Sequence, residues 1–258
     1  MKLDESLFFV PGVRRGLRFY VTGPSPCPYL PGQTERKGFT HLAQDNPDAL
    51  HDQLSRAGFR RSQGVAYRPA CPTCNACRSV RVDATRFAPS RNQKRVLNAN
   101  RDLTRRPVQA QATREQYRLL KTYLNSRHQG GGMSQMGFRE FAAMVNDSPV
   151  QTLMFEYRLG PEEDAPLMAV SLTDVLRDGL SMVYTFFDPA ERRRSLGTFM
   201  ILDHVLYGAE LGLPHTYLGY WIEGSPKMDY KRRFQPMEVL EAGRWRPLEQ
   251  PAVTAKPD

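Results

Sequence analysis

The rear half of this chain sets an order of elements that narrows its fold sharply. From residue 150 three β-rich runs follow one another, 151–159, 167–176 and 180–187, and Arg177-Asp178-Gly179 joins the last two as a tight hairpin turn. Asp188-Pro189 and three arginines then lead into Ser195-Leu196-Gly197-Thr198. A long apolar helix over 199–211 stops at Gly212 and Pro214, and a further strand follows over 216–222. A short basic helical turn at 229–234 and a closing hairpin over 237–246 complete the pattern.

Antiparallel strands, a basic glycine-containing loop, a helix and one more strand are the order of a GNAT-type acyltransferase. In that architecture the loop amides and the helix N-terminus receive a phosphate. Arg193-Arg194-Ser195-Leu196-Gly197-Thr198 would be the loop. Arginines at the positive end of a helix are a local cost unless an anion offsets them. The competing reading is an ordinary helix N-terminus that happens to be basic.

The front of the chain has a different character. All four cysteines fall there, Cys27 alone and Cys71, Cys74 and Cys77 in one run. Short strands are expected over 7–22, and prolines stiffen the loop that carries Cys27. Asn46-Pro47-Asp48 predicts a helix start, since Asn caps, Pro suits the first position and Asp meets the positive helix end. That helix should end at Gly58. Strands over 59–68 and 79–83 flank the cysteine run, so the run is a turn between them. A basic helix is expected over 90–103, broken at Arg106-Pro107, then helices over 113–128 and 138–145. The fold class is therefore α+β. Residues 1–105 form a small cysteine-containing α/β domain, 106–250 a GNAT-like acyltransferase domain with a mixed, mostly antiparallel sheet, and 251–258 a disordered tail.

The 258 residues are enough to bury a core without staples. The first residues lack the pattern of a secretory signal, and no apolar run approaches bilayer length, so a cytoplasmic protein without membrane partners is expected. In that compartment the cysteines read as free thiols or metal ligands rather than bridges. The net charge of +9 points to a polyanion. The arginines and lysines gather at 91–106, 192–194 and 231–233. No helix-turn-helix, RNP motif or Cys/His finger accompanies them, which favours recognition of an RNA backbone over base reading of duplex DNA.

Leu218-Gly219-Tyr220-Trp221-Ile222 and the stretch from Lys227 to Glu238, KMDYKRRFQPME, resemble the arginyltransferase family of aminoacyl-tRNA–protein transferases. Asp188-Pro189 with Arg194-Ser195-Leu196-Gly197, Tyr29-Leu30-Pro31-Gly32, Tyr67-Arg68-Pro69 and Ser126-Arg127-His128 fit the same family. The likeness is greatest to its short bacterial branch, the aspartate/glutamate leucyltransferases. It implies that leucine moves from Leu-tRNA to the α-amine of a protein beginning with Asp or Glu, which marks that protein for N-degron degradation. It also implies a GNAT-like rear domain and a tRNA ester as donor, with no cofactor required for transfer.

An α-amine with an ordinary pKa of about 7.7–8.0 and an activated ester need mainly positioning and oxyanion donors. Tyr184, Tyr217 and Tyr220 are the candidate hydrogen-bonding groups, and Asp188 or Glu156 the candidate proton acceptor. Each tyrosine alone reads equally as a half-buried strand residue. The acceptor's acidic side chain calls for a cation, with Arg78, Arg127 with His128, and Lys231 as candidates. Arg192, Arg193, Arg194, Ser195 and Gly197 would meet the acceptor end of tRNA, and Lys94, Arg95 and Arg101 its stem. Cys27, Cys71, Cys74 and Cys77 could hold zinc or an iron–sulfur cluster, or pack as reduced thiols. An Arg-tRNA donor, an acetyl-CoA-dependent acetyltransferase and a non-catalytic RNA-binding protein are the competing functions.

Overall fold

The structure is a computed structural model and describes residues 17–43, 45–127 and 132–248. In the front part, β1 (Tyr20–Val21), β2 (Ser25–Pro26), β3 (Thr34–Glu35) and β4 (Lys37–His41) precede α1 (Pro47–Arg56), which β5 (Arg60–Ser62) and β6 (Val65–Pro69) follow. Four of these strands make a sheet in the order β1-β4-β6-β5, and β2 and β3 form a separate ribbon. Helix α1 starts as its sequence predicts: the Asn46 side chain accepts from the Ala49 amide at 3.1 Å and Pro47 opens the first turn. The single strand expected over 59–68 is instead a hairpin, β5 against β6, turning at Gln63-Gly64 with Gln63 at φ +50°.

The larger body is one sheet of eight strands. It uses β7 (Arg78–Asp83), β8 (Leu103–Gln109), β9 (Thr152–Leu159), β10 (Leu167–Leu176), β11 (Gly179–Phe187), β12 (His215–Trp221), β13 (Met237–Glu241) and β14 (Arg244–Pro247). Their order is β14-β13-β7-β12-β11-β10-β9-β8, and β11 with β12 is its parallel pair. Strand β8 straddles the 105/106 division, and β7, which leads out of the cysteine run, lies inside this sheet. The basic helix expected over 90–103 stops early, as α2 (Arg91–Asn98), and β8 follows it. Pro107, read from sequence as a break, sits within β8 because an edge strand tolerates a missing amide donor.

Helices cover both faces. On one side α2 and α5 (Leu196–Glu210) bury Phe199, Met200, Leu202 and Val205 against Val80, Val82, Leu180 and Met182 of the strands. On the other, α3 (Arg114–Arg127) and α4 (Phe138–Asn146) bury Leu120, Leu124 and Phe141 against Met154, Val170, Leu172 and Phe186. Ala169 and Val170 go to opposite clusters, as the two-residue period of a strand requires. The front part is clamped to this sheet by a buried ion group. Arg61 of β5 grips both carboxylate oxygens of Asp174 of β10, through Nε and Nη2 at 2.7 Å each, and His51 Nε2 adds a contact at 2.9 Å. Burial alone would raise the Asp174 pKa, and the hydrogen bonds from His51 and Arg61 outweigh it and hold it to about 2.

Candidate active site

Strands β11 and β12 stay together for three residue pairs, Gly179–His215, Leu180–Thr216 and Ser181–Tyr217, and then part. The reason lies in β12. Its register against β7, with which it pairs from His215 to Trp221, shifts between Tyr217 and Gly219, and Gly219 sits at φ +79°. A glycine inside a strand marks a bulge or a close backbone approach, and here it marks both. A Cβ on Gly219 would stand 2.5–2.9 Å from three atoms of the Arg60 guanidinium. That guanidinium reaches into the parting, with Nη2 donating to the Met182 carbonyl of β11 at 2.7 Å. Its Nη1 is buried and has no hydrogen-bond partner. Lys231, from the 3-10 turn Asp229–Arg233, is also buried and donates from Nζ to the Tyr220 carbonyl at 2.6 Å. Burial, and after it the nearby Arg60 charge, lowers the Lys231 pKa to about 7.

The candidate tyrosines divide. Tyr220 has its hydroxyl 3.0 Å from the carbonyls of both Gly58 and Tyr67, so it pins the front sheet to β12. Tyr217 donates to Asp178 at 2.9 Å and accepts from Arg81 at 3.1 Å, at the end where β11 and β12 are still paired. Tyr184 lies beyond the parting on β11, against α3, and burial first and Tyr123 second push its pKa up to about 12. Asp188 follows β11 and its Oδ1 accepts from the Ala190 amide at 2.9 Å. The start of α5 comes to this same strand end, since a Cβ on Gly197 would lie 3.2 Å from Phe187. Arg127 also approaches that ring, 5.9 Å from its centroid. Glu156 is tied to Gln116 at 2.8 Å and Arg158 at 2.9 Å beneath the sheet. His128 lies outside the described residues, as does the tail 251–258.

The first-choice cation differs from its expectation. Arg78 lies in an open groove with Arg68, Glu223 and Glu241, where it donates to Glu241 at 2.8 Å and stacks over Trp221 at 4.6 Å. Its fork is thus taken by this chain's own carboxylate. Arg194 differs similarly: it is bidentate to Asp102 at 2.7 and 2.8 Å and also meets Glu191. It braces the turn rather than facing outward. Arg192 and Arg193 are exposed, and Ser195, at φ +52°, gives the first turn of α5 no side-chain cap. The three basic clusters come together in space. Asn100, just after α2, donates to the Arg194 carbonyl at 2.8 Å, and Gln93 of α2 donates to the Arg233 carbonyl at 3.0 Å. Lys94, Arg95, Arg101, Arg192, Arg193 and Arg233 are all exposed around these joints.

The four cysteines line one cavity of about 80 Å³, together with Tyr29, Tyr67 and Tyr220. All four are free and half-buried. Burial, and then the neighbouring Cys27, Cys71 and Cys74, push the Cys77 pKa up to about 12. As arranged, the thiols do not fit the expected zinc or iron–sulfur site: among the described residues no group of three or more His, Cys, Asp or Glu side chains is placed to hold a metal ion. Cys71 instead exchanges contacts with the backbone of Arg36, accepting from its amide at 3.5 Å. Sequence reasoning passed over Arg60. Its signal was indirect, a glycine within the apparent strand Leu218-Gly219-Tyr220-Trp221 that needed a partner for its missing side chain.

Residues 25–95 match the family described as "Arginine-tRNA-protein transferase, N terminus", and residues 115–241 match its C-terminal counterpart. The chain is 63% identical over 248 residues to the aspartate/glutamate leucyltransferase of Hyphomonas neptunium, covering 96% of this chain and 98% of that one. It is 54% identical over 244 residues to the enzyme of that name from a Bradyrhizobium strain, covering 92% and 95%. Among solved structures, FemX superposes with a TM-score of 0.50 at 9% identity, over 79% of this chain and 69% of that one, a likeness of fold alone. The fold is GNAT-like, and the chain belongs to the arginine-tRNA-protein transferase family of aminoacyltransferases.

Proposed function

We propose that this protein transfers leucine from Leu-tRNA to the α-amine of proteins beginning with Asp or Glu, creating a degradation signal. The observation that carries it is the parting of β11 and β12 around two cations, in a chain related along its length to leucyltransferases. A parted parallel pair is a gap between strands in which an extended acceptor N-terminus finds backbone partners. Arg60 and Lys231 give that gap the charge an acidic terminus requires.

The acceptor amine is already partly free base near neutral pH, and the aminoacyl ester is activated, so no covalent enzyme intermediate is needed. Tyr184 keeps its proton across the working range and serves as a donor to the developing oxyanion. Asp188, which follows the last residue of the same strand, takes the proton that leaves the attacking amine. Tyr217 and Tyr220 act through position, since their hydroxyls are engaged by Asp178, Arg81 and two carbonyls. Arg127 stands at the same strand end as a second contact for the acceptor. The exposed face of Lys94, Arg95, Arg101, Arg192 and Arg193, with the uncapped first turn at Ser195 and Gly197, receives the tRNA backbone. None of the transfer steps calls on the four thiols that line the front cavity.

A cytoplasmic site of action follows from this reading, since charged tRNA is the donor. It is supported by four free thiols and by the absence, among the described residues, of any helix long and apolar enough to cross a membrane. The test supplies Leu-tRNA and Arg-tRNA in turn to peptides starting with Asp, Glu, Lys or Ala. Added mass of one leucine on the Asp and Glu peptides alone is the expected result. Arginine addition reassigns the donor, and no product with any pair overturns the proposal.

A further inference from the structure

Arg60 is a charged group whose surroundings are incomplete. It comes from β5 of the front sheet, yet its guanidinium lies between β11 and β12 of the large sheet, on the face that Gly219 leaves open. Nη2 is held by the Met182 carbonyl, which fixes the plane of the fork, while Nη1 is buried without a partner. Lys231 lies close by and feels the Arg60 charge. Among the described residues no carboxylate pairs with either of them. Three neutral phenols, Tyr29, Tyr220 and Tyr230, also lie in the field of Arg60. A buried ammonium beside a half-buried guanidinium whose inner nitrogen has no partner, with no acid pairing either, is costly unless an anion arrives to complete the group.

We infer that Arg60 is the specificity-determining residue that receives the side-chain carboxylate of the acceptor's N-terminal Asp or Glu, with Lys231 beside it. This rests on the leucyl-transfer reading and names the contact that makes it selective. The geometry suits a carboxylate better than a tRNA phosphate. One terminal nitrogen of the fork is held to β11, so the unpartnered Nη1 and one ammonium remain, enough for one small planar anion. The exposed basic residues that suit a polyphosphate backbone belong to α2, the turn that follows it and the 192–194 turn, none of them to β5. Asn offers the same shape as Asp without charge, and a buried cation left unpaired rejects it.

The experiment compares leucyl transfer to two peptides that differ in Asp or Asn at the first position, using wild type and Arg60→Gln. Wild type prefers Asp. In Arg60→Gln the ratio of kcat/KM for Asp over Asn falls by at least about thirtyfold, the scale of a broken buried charge pair. Leu-tRNA binding, measured separately by filter retention, stays within about twofold, as expected when the tRNA phosphates keep all their cations. An undiminished Asp preference overturns the assignment, and so does a variant that keeps its preference but loses affinity for Leu-tRNA, which would place a phosphate on Arg60. Wild type that leucylates neither peptide indicts the leucyl-transfer reading instead. Should Arg60→Gln lose both activities, folded wild type still decides. The Arg60 side-chain nitrogen resonance, assigned by its absence in Arg60→Lys, moves on adding the Asp peptide but not the Asn peptide. A resonance that does not move removes the proposal.

Discussion

Replacing Lys231 by Met should make the protein's stability depend less on pH, and the size of the change follows from the burial of this one group. Lys231 is 7% exposed, touches the Tyr220 carbonyl at 2.6 Å and shares its surroundings with Arg60. Burial first and Arg60 second lower its pKa from 10.5 to about 7. The folded state therefore holds this proton more weakly than the unfolded chain by about three and a half decades, or roughly 5 kcal/mol, of which a scan ending at about pH 10 reads roughly 4. Below about pH 7 both states are protonated and the full cost of burying the charge is present. Between there and 10.5 the folded amine is neutral while the unfolded one is still charged. The unfolded state then binds more protons, so stability rises with pH. Lys231→Met has no such proton and forgoes only one hydrogen bond, about 1 kcal/mol. Urea unfolding of both proteins from pH 6 to pH 10 reads the difference directly. The variant should be the more stable at pH 6 and lose that advantage by roughly 4 kcal/mol as pH rises. A difference between the two proteins that does not change with pH refutes the reasoning.

Asp174→Asn leaves Arg61 buried without its counter-charge, and urea unfolding should show a loss of about 3–5 kcal/mol. Because the folded Asp174 pKa is depressed to about 2, its contribution is complete above the unfolded carboxylate range and fades as pH falls toward 2; wild type and variant should converge there. Tyr184→Phe should lower kcat for leucyl transfer by about 100-fold with little change in KM, as loss of an oxyanion donor does. A change confined to KM would reassign Tyr184 to binding. The double substitution Arg192→Ala, Arg193→Ala should weaken Leu-tRNA binding and flatten its salt dependence by a slope of about 2, one for each phosphate no longer neutralised. An unchanged slope removes these two residues from the tRNA face. Metal analysis and visible absorbance of anaerobically purified protein test the thiols: bound zinc or iron would show that the loop of Cys71, Cys74 and Cys77 rearranges around a ligand.

The elements legible in the sequence are those whose signals are local. Asn46-Pro47-Asp48 carries its own cap, Arg177-Asp178-Gly179 its own turn, and the apolar run of α5 its own stop at Gly212. Strand β8 escapes such reading because its side chains answer to partners far away. Arg105 stacks on Tyr207 and pairs with Asp203, and Arg106 donates to the carbonyls of Pro161, Glu162 and Glu163, so an interaction pattern looks like a basic helix. Among site residues, Lys231 stands out because it sits in a recognisable stretch. Arg60 does not, since an arginine beginning a strand looks like any surface charge until a glycine far along the chain, Gly219, makes room for it. The partners of Arg78 are hidden for the converse reason: nothing near it in the chain announces Glu223 and Glu241.

The position of β7 has a consequence for how the molecule can be divided. It enters directly from the cysteine loop and runs between β12 on one side and β13 on the other. A chain begun after residue 105 would therefore lack the middle of a sheet rather than an appendage. The β13–β14 ribbon would be stranded from its neighbours, and β12 would present a bare row of amides and carbonyls beside the very gap where transfer is proposed. Such a fragment is a candidate for self-association, not a minimal enzyme.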